Sequence, residues 1–408
     1  MIINKKRMKK DFDYITSISA TETGCTRLSY SDEDRQVRDY IEAGLEEIGA
    51  EILIDSVGNI RAKYNPMGSK ESSFLIGSHI DTVPYGGRYD GLTGVLASLE
   101  ALRTIHENEI SLRHPLELLI FAEEEGSNFG VTMIGSKYMA KKIGLEDLKE
   151  LSNKDGVSAY DYIQSRGYNF KPEEDYYISA QNARGMIELH VEQGQILDEE
   201  AIDIGIIEAI AGMYTYQVIV EGSSNHAGTT PMIYRRDPLL GASEMIVRLN
   251  KLVEGYESAV ITVGKIEVSP NASNVIASKV VFNIDIRDVV QEKMVRLAEE
   301  AKEVCNQIAS DKKLDLDIKL LGSSEVAILD RELIDLIERV AKKTKLNYMR
   351  MNSGAVHDNA MLADIIPTAM IFLPSIGGIS HSPYEDTDFD DIVTGSQLLL
   401  DSVIEYVG

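Results

Sequence analysis

Continuous apolar runs along this chain alternate with segments whose apolar residues repeat at helical spacing. The runs at residues 74–80 and 116–122 are strand-sized and apolar on both faces, as in a sheet that helices cover on both sides. Between them, helical spacing relates Leu92, Val95, Leu96, Leu99 and Leu102. A helix at 32–48, a hairpin at 50–64 and another strand at 185–191 are also indicated. The pattern predicts an α/β sandwich.

The hydrophobic pattern changes from about residue 212, where alternating, half-exposed positions replace the continuous apolar runs. Strands are predicted at 213–221, 259–268, 279–287 and 314–320, and helices at 237–252 and 291–308. Their order, β-α-β-β-α-β, is typical of a small ferredoxin-like domain. We therefore predict an inserted α+β domain at residues 212–323.

The larger domain resumes near residue 324. A helix, a strand and a closing helix are predicted there, at 330–345, 368–373 and 391–406. The catalytic α/β domain is thus predicted to comprise residues 1–211 and 324–408. Within its first part, residues 145–177 are polar and irregular, and we expect this segment to wrap around the surface.

Composition and charge restrict the partners that this protein can have. The 408 residues carry a formal net charge of −25 at pH 7, which argues against nucleic acid or an anionic membrane as partner because both are polyanions. No apolar run is long enough to span a membrane, and none follows the N-terminal basic cluster as it would in a signal peptide. Cys25 and Cys305 lie far apart in sequence, so we expect a cytoplasmic protein without disulfides.

The strand at 74–80 and the glycine-rich loop after it carry His79, Asp81 and Asp90. In open α/β sheets, ligands bind at this end of the strands. Because side chains alternate along a strand, Asp81 lies on the same side as His79 and can hold its imidazole in one tautomer while the other ring nitrogen binds a metal. The alternative is a loop of solvated acids beside a hydrogen-bonded histidine, since His-x-Asp is a common tripeptide.

Further histidines and acids follow other strand-like runs of the larger domain. They are Glu124 and Glu125, His190, and His381. Nitrogen and oxygen ligands without thiolates suit a catalytic site for zinc, manganese or cobalt, and two ions about 3.5 to 4 Å apart can clamp a carbonyl oxygen. Of two adjacent glutamates, one can bind metal while the other stays available as general base. The alternative is a set of hydrogen-bonded core histidines and solvated acids.

Six segments of the chain resemble, in order, the dinuclear metal amidohydrolase family of N-carbamoyl-L-amino acid hydrolases and allantoate amidohydrolases. They are GSHIDTVPYGGRYDG, AEEEGSNF, ELHVEQG, NHAGTTPM, NSGAVHD and ISHSPYEDT. The resemblance runs from roughly residue 29 to the C terminus and implies a zinc-peptidase-like domain with a mixed, largely parallel sheet. One departure concerns the pocket: relatives commonly have Ser-Gly-Ala-Gly-His-Asp where residues 353–358 have Val356 in place of the second glycine.

The resemblance implies a centre of two divalent metal ions per subunit, zinc, manganese or cobalt. Its ligands fall on His79, Asp90, Glu125, His190 and His381. Asp90 would bridge the two ions, and Glu124 would be the general base. Related peptidases and aminoacylases usually have a carboxylate where the HVEQG run has His190.

Substrate contacts are implied for His226, Asn274 and Arg287 in the inserted domain, and Gln193 and Gly354 complete the predicted set. Arg287 could bind a substrate carboxylate bidentately, although an ion pair with Asp285 or Asp288 would explain it equally. His226 could donate to the developing oxyanion, although a capping histidine would fit the same turn. Gln193, beside His190, could hydrogen-bond the ureido group. In the family the inserted domain acts as a lid and mediates dimerisation, so a homodimer is expected.

These expectations define a hydrolase for a small ureido substrate with a carboxylate. The predicted reaction cleaves the ureido C–N bond of an N-carbamoyl-L-amino acid and releases the amino acid, carbon dioxide and ammonia. Allantoate is the alternative substrate within the family, and a dipeptidase or aminoacylase of the same superfamily is a further alternative. A non-enzymatic scaffold would be expected to have lost ligands or the base, and this chain retains them.

Overall fold

The structure, a computed structural model, describes residues 1–172 and 175–408 and divides into two compact units. Unit 1 comprises Met1–Glu208, Ile328–Met351 and His357–Gly408. Unit 2 comprises Ala209–Ala327 and the short segment Asn352–Val356. The assignment of catalysis to one part and of a lid to the other stays a prediction. No helix of the described residues is both long and apolar enough to cross a membrane.

Fourteen strands and twelve α-helices are formed by the described residues. The strands are β1 Glu51–Ile54, β2 Ile60–Tyr64, β3 Ser73–His79, β4 Leu116–Phe121, β5 Ala183–Val191, β6 Ile204–Ile210, β7 Gly212–Glu221, β8 Val260–Thr262, β9 Ile266–Ser269, β10 Lys279–Asp288, β11 Asp315–Ser324, β12 Ala327–Ile328, β13 Tyr348–Ser353 and β14 Thr368–Leu373. The helices are α1 Lys5–Thr16, α2 Asp32–Glu47, α3 Leu92–Glu107, α4 Ile134–Met139, α5 Leu145–Glu150, α6 Ala159–Ser165, α7 Ile196–Glu199, α8 Pro238–Leu252, α9 Gln291–Asp311, α10 Arg331–Thr344, α11 Asp358–Leu362 and α12 Phe389–Val407.

A nine-stranded sheet, in the order β1-β2-β4-β3-β5-β14-β6-β12 with β13 paired to β6, organises unit 1. The central pairs β4/β3, β3/β5 and β5/β14 are parallel, whereas the hairpin β1/β2 and the pair β14/β6 are antiparallel. Every residue of β3, β4 and β14 is buried, because helices cover both faces. The predicted α/β class, with a mixed, largely parallel sheet, is therefore confirmed.

Helices α3 and α12 pack on one face of the central strands and also contact each other. Helix α3 is buried from Leu92 to Ile105, as its apolar sequence requires. On the opposite face, Leu75 and Phe121 of the sheet pack with Met139 of α4 and Leu362 of α11. The sheet edge that carries the predicted ligands is thus held between two packed layers.

The segment at 145–177 is more ordered than its polar sequence predicts; Glu173 and Glu174 lie outside the described residues. It contains α5 and α6, and Leu148 and Ile163 on these helices are fully buried beside Tyr30. The expectation that this segment wraps irregularly around the surface is wrong for helices α5 and α6. Their apolar residues are anchored by distant parts of the chain.

Unit 2 is built on the antiparallel sheet β11-β7-β10-β8, with β9 also paired to β10. Alternate residues of β10 are buried, and Phe282 and Ile284 pack with Met245 of α8 and Leu297 of α9. The ferredoxin-like order is present, but the strand predicted at 259–268 is two short strands, β8 and β9. The ends of unit 2 are neighbours, since β7 and β11 pair with Met213 opposite Ser324.

Candidate active site

The predicted metal ligands of unit 1 meet at one edge of the nine-stranded sheet. His79 ends β3 opposite Phe121 of β4, and His190 in β5 lies opposite Phe372 of β14. Glu124 and Glu125 follow β4, and His381 follows β14. Because these four strands are parallel, their carboxyl ends deliver the side chains to a common crevice.

His79 and His190 direct the same ring nitrogen towards Asp90. Their Nε2 atoms lie 3.4 and 3.1 Å from Asp90 Oδ1. The Nδ1 of His79 lies 3.1 Å from the backbone carbonyl of Asp81, and that of His190 lies 2.8 Å from the carbonyl of Val191. A carbonyl only accepts, so Nδ1 carries the proton and donates, which leaves the lone pair on Nε2 for a metal.

Asp90 offers its second oxygen to a different pair of side chains. His381 Nε2 lies 3.3 Å from Asp90 Oδ2 and 3.4 Å from Glu125 Oε2. The trio His79, Asp90 and His190, and the trio Asp90, Glu125 and His381, each have their ligand atoms within 4.8 Å of one another. One carboxylate therefore belongs to both trios, as a ligand that bridges two ions would.

Asp81 supports the glutamate loop as well as His79. Its carboxylate accepts the backbone N–H groups of Glu124 at 3.3 Å and Glu125 at 3.1 Å. The Asp81 carboxylate lies 3.7 Å from His79 Nδ1, so the hydrogen bond that orients the imidazole is made by the backbone carbonyl of Asp81 instead. Glu124 Oε2 lies 3.9 Å from His79 Nε2, beside the trios without belonging to either.

The residue after Asp90 has to be a glycine. Gly91 has a φ of +63°, and a Cβ there would overlap the ring of His79. Its backbone N–H donates to His190 Nε2 at 3.2 Å, consistent with a lone pair on that nitrogen. The glycine lets the backbone of the Asp90 loop pass directly beside both imidazoles.

Acidic side chains are in excess at the site. Burial raises the pKa of Asp90, but the imidazoles of His190, His381 and His79, which stabilise its carboxylate when they are protonated, outweigh this and leave the pKa well below its usual value. Burial, reinforced by Asp90, raises the pKa of Glu125 to about 8. Burial also raises the pKa of Glu124 well above its usual value. Buried acids of this kind need a cation, and the nitrogen and oxygen donors present fit a divalent metal.

The neighbouring carboxylates raise the pKa values of the histidines. Burial lowers the pKa of His79, but Glu124 and Asp90 outweigh it and raise the pKa well above its usual value. The hydrogen bond to Asp90 raises the pKa of His381 to about 9. These directions follow from the same excess of buried carboxylate that a metal would offset.

Gln193 lies beside the second trio. Its Nε2 donates to Asp90 Oδ2 at 2.7 Å and lies 3.4 Å from His381 Nε2. Its Oε1 is buried without a hydrogen-bond partner among the described residues. The amide therefore presents an acceptor next to the trios, and its role in binding a ureido group stays a prediction.

Several polar residues around the site were not singled out from the sequence. Glu385 and Ser380 contact the Asp90 loop, and the ring of His357 packs 4.6 Å from that of His190. Burial raises the pKa of Asp358 to about 8 and lowers the pKa of Lys137. The segments NSGAVHD and ISHSPYEDT contain all of these residues except Lys137, but their roles depend on contacts that sequence spacing does not show.

The predicted substrate residues His226 and Asn274 lie on two paired loops of unit 2. Ala227 N–H donates to the carbonyl of Asn274 at 3.0 Å, and Ile276 N–H donates to that of Asn225 at 2.8 Å. His226 is exposed, and its Nδ1 accepts the N–H of Gly228 at 3.1 Å. The capping interaction is therefore present, and in the neutral ring it places the proton on Nε2, where it can be donated.

Arg287 and Gly354 of the predicted set contact each other within unit 2. Arg287 Nη1 donates to the Gly354 carbonyl at 3.0 Å. Its Nε and Nη2 donate to Asp285 at 2.8 and 3.4 Å, so the ion pair predicted as an alternative is formed with Asp285. These bonds use three of the five guanidinium N–H groups, which leaves a donor on each terminal nitrogen for a further acceptor.

Comparison with known proteins gives concordant results. A family model described as Peptidase family M20/M25/M40 matches residues 75–405. A ureidoglycolate hydrolase of Oryza sativa subsp. japonica is 34% identical over 404 residues, which cover 97% of this chain and 84% of that protein. An N-carbamoyl-L-amino-acid amidohydrolase of Paenarthrobacter aurescens and an allantoate amidohydrolase of Escherichia coli (strain K12) are each 33% identical, across 97% of this chain and 96% of their own.

Among solved structures, an amidase of the hydantoinase/carbamoylase family from Burkholderia multivorans resembles this chain along its length. The two share a TM-score of 0.91 at 31% identity, covering 100% of this chain and 98% of the other.

Proposed function

We propose, on the premise that this chain belongs to peptidase family M20/M25/M40 and is an amidohydrolase acting on C–N bonds, that its substrate is an N-carbamoyl-L-amino acid. The family is metal-dependent. The observation that carries the metal centre is the position of Asp90, with one oxygen in each trio, and the substrate class is supported by relatives named N-carbamoyl-L-amino-acid amidohydrolase. Two divalent ions, of zinc, manganese or cobalt, would be held there by His79, Asp90, Glu125, His190 and His381.

Metal ions bound by these residues would polarise the ureido carbonyl and make a water more acidic. The protein supplies the proton transfers and the binding. Glu124, close to the trios but outside them, takes the proton of the attacking water and returns it to the leaving nitrogen. The water oxygen bonds to the carbonyl carbon as one C–N bond breaks. The carbamic acid that results decomposes to carbon dioxide, so the products are the amino acid, carbon dioxide and ammonia.

The polar residues of unit 2 supply binding in this proposal. Arg287 binds the substrate carboxylate with the terminal N–H donors that Asp285 and Gly354 leave available. His226 donates from Nε2 to the oxygen that gains charge. Asn274, on the loop paired with that of His226, contacts the same substrate. The protein is expected to act as a homodimer, as the family resemblance implies.

The experiment is an ammonia-release assay with metal-free protein reloaded with zinc, manganese or cobalt. The panel contains N-carbamoyl-L-amino acids with small, aliphatic and aromatic side chains, their D isomers, allantoate, ureidoglycolate, a dipeptide and an N-acyl amino acid. We expect the highest kcat/KM for an N-carbamoyl-L-amino acid, with the Glu124→Gln protein as background control.

Two results would change this assignment. A higher kcat/KM for allantoate or ureidoglycolate would assign the enzyme to that substrate instead, which is the one named for a relative in each case. Cleavage of the dipeptide or N-acyl amino acid, without ammonia from any ureido compound, would indicate a peptidase or aminoacylase.

A further inference from the structure

We propose that Glu385 is a positioning residue that fixes Asp90 and thereby raises the metal affinity of the site. Glu385 Oε1 accepts the backbone N–H groups of Tyr89 at 2.9 Å and Asp90 at 3.2 Å. Both amides belong to the turn that aims the Asp90 carboxylate, so one oxygen holds two consecutive peptide groups. The inference rests on the proposed function, because it takes Asp90 as the shared metal ligand.

The second oxygen of Glu385 reaches the loop of another predicted ligand. Ser380 Oγ lies 3.2 Å from Glu385 Oε2 and 3.4 Å from Asp90 Oδ2, and Ser380 directly precedes His381. The carboxylate therefore joins the Asp90 turn to the His381 loop. Two ligands of the second trio are placed relative to each other by this one side chain.

The surroundings of Glu385 are shaped to receive it. Glu385 is only 5% exposed, and a Cβ at Gly87 would overlap its carboxylate. Among the described residues, the hydrogen bonds that Glu385 accepts come from two backbone N–H groups and the Ser380 hydroxyl, not from a lysine or arginine. A buried carboxylate without a lysine or arginine partner is costly unless its hydrogen bonds and a nearby cation compensate. The position beside Asp90 is where metal ions would provide that charge.

Glu385→Ala removes the acceptor for both amides, and Glu385→Gln keeps one oxygen but removes the charge. The matched control is Asp288→Asn in unit 2, since Asp288 is 1% exposed and accepts a serine hydroxyl and a backbone N–H, from Ser258 and Val290. The measurements are the dissociation constants for zinc and manganese by competition with a chelating indicator, without substrate. Amide hydrogen exchange of the peptide spanning residues 85–91 is followed in the metal-free protein.

We expect Glu385→Ala to weaken metal binding about 10- to 100-fold, as loss of a partner that orients a ligand does, and to speed exchange at residues 85–91. Glu385→Gln should retain most of the amide protection and weaken metal binding less. Asp288→Asn should leave metal affinity unchanged. Metal affinity within twofold of the parent in Glu385→Ala would overturn the proposal.

Two further variants keep the test valid if Glu385→Ala fails to fold. Gly87→Ala pushes on the carboxylate from the opposite side, and Ser380→Ala removes the link to the His381 loop; each should weaken metal binding, most strongly in Gly87→Ala. Unchanged affinity in both would overturn the positioning role. A parent protein that binds no metal would instead contradict the proposed metal centre, and the role of Glu385 with it, whatever the substrate assay shows.

Discussion

Three of the five predicted ligands in unit 1 are buried, whereas the ligand His381 and the predicted substrate contacts in unit 2 are not. His79, His190 and Asp90 are 2%, 1% and 5% exposed, whereas His226 and Asn274 are exposed and Arg287 is half-buried. Burying an acid or an imidazolium costs several kcal/mol unless a counter-charge compensates. The buried carboxylates of unit 1 therefore need compensating positive charge, while the exposed residues of unit 2 cost little in the absence of substrate.

The two groups also differ in what holds them. The unit 1 residues stand at the ends of packed parallel strands, and Asp81 and Glu385 fix the loops between them through backbone amides. The unit 2 residues stand on surface loops and on one strand, where Asp285 and Gly354 orient Arg287. Substitutions in the unit 1 group should therefore change metal content and kcat, whereas substitutions in the unit 2 group should change KM.

Removal of metal is expected to have the largest effect. If the buried acids of unit 1 hold catalytic ions, dialysis against a chelator should abolish ammonia release, and added zinc, manganese or cobalt should restore it. Metal content is measured by mass spectrometry on the same samples. Full activity with negligible bound metal would contradict the proposed centre.

The adjacent glutamates should separate catalysis from metal binding. Glu124→Gln should keep the metal and lose about 10² to 10⁴ in kcat, the usual contribution of a general base. Glu125→Gln should lose metal, because Glu125 belongs to the second trio. Exchanged phenotypes would show that the roles within the glutamate run are shifted by one residue.

Arg287→Ala should have a smaller effect, confined to substrate binding. Loss of a hydrogen bond to a charged group is worth roughly 1.5 to 3 kcal/mol, or about ten- to a hundredfold in KM for carboxylated substrates. Arg287→Lys should recover part of this, since an ammonium cannot bind a carboxylate in the same bidentate way. Metal content should not change.

The control for this prediction is Arg296→Ala. Arg296 is also in unit 2 and interacts with Tyr256 and Glu300 on the surface, so its loss should leave KM unaltered. An unchanged KM in Arg287→Ala would remove the arginine from the substrate site.

The smallest expected effect is that of a mixing experiment. It tests whether each active site of a homodimer contains residues of both subunits. If Arg287 of one subunit serves the site of the other, random exchange between Glu124→Gln and Arg287→Ala proteins restores about a quarter of the sites. The measurement is ammonia release at a substrate concentration below the parent KM. No regain after verified subunit exchange would mean that each subunit supplies its own residues.

The sequence predicts those parts of the fold that have a distinctive local pattern of apolar residues. The strands near His79, Glu124 and His190 were identified because continuous apolar runs have few alternatives in a sheet covered on both faces. Helices α5 and α6 gave no such signal, since isolated helices of this length are marginal in water and Leu148 and Ile163 are stabilised by distant side chains.

Other differences have causes that the hydrophobic pattern of a single segment cannot show. The strand predicted at 259–268 is interrupted near Gly264, where both halves pair with β10. Strands β6 and β13 were not predicted; β13 carries mixed polar residues. Glu385 had no assigned role because its partners Tyr89 and Asp90 lie 296 and 295 positions earlier. A hydrogen bond across that separation leaves no periodicity to detect.

The pairing of Met213 with Ser324 has a consequence for the order of folding. Paired residues of an antiparallel ladder lie about 5 Å apart. Once unit 2 has folded, the two parts of the chain that form unit 1 are therefore joined as if by a short connection, and the entropic cost of closing a long loop is avoided. Strand β14, which lies between β5 and β6, leaves the ribosome after all of Ala209–Ala327. Unit 2 therefore has time to fold while the sheet carrying His190 still has an open edge.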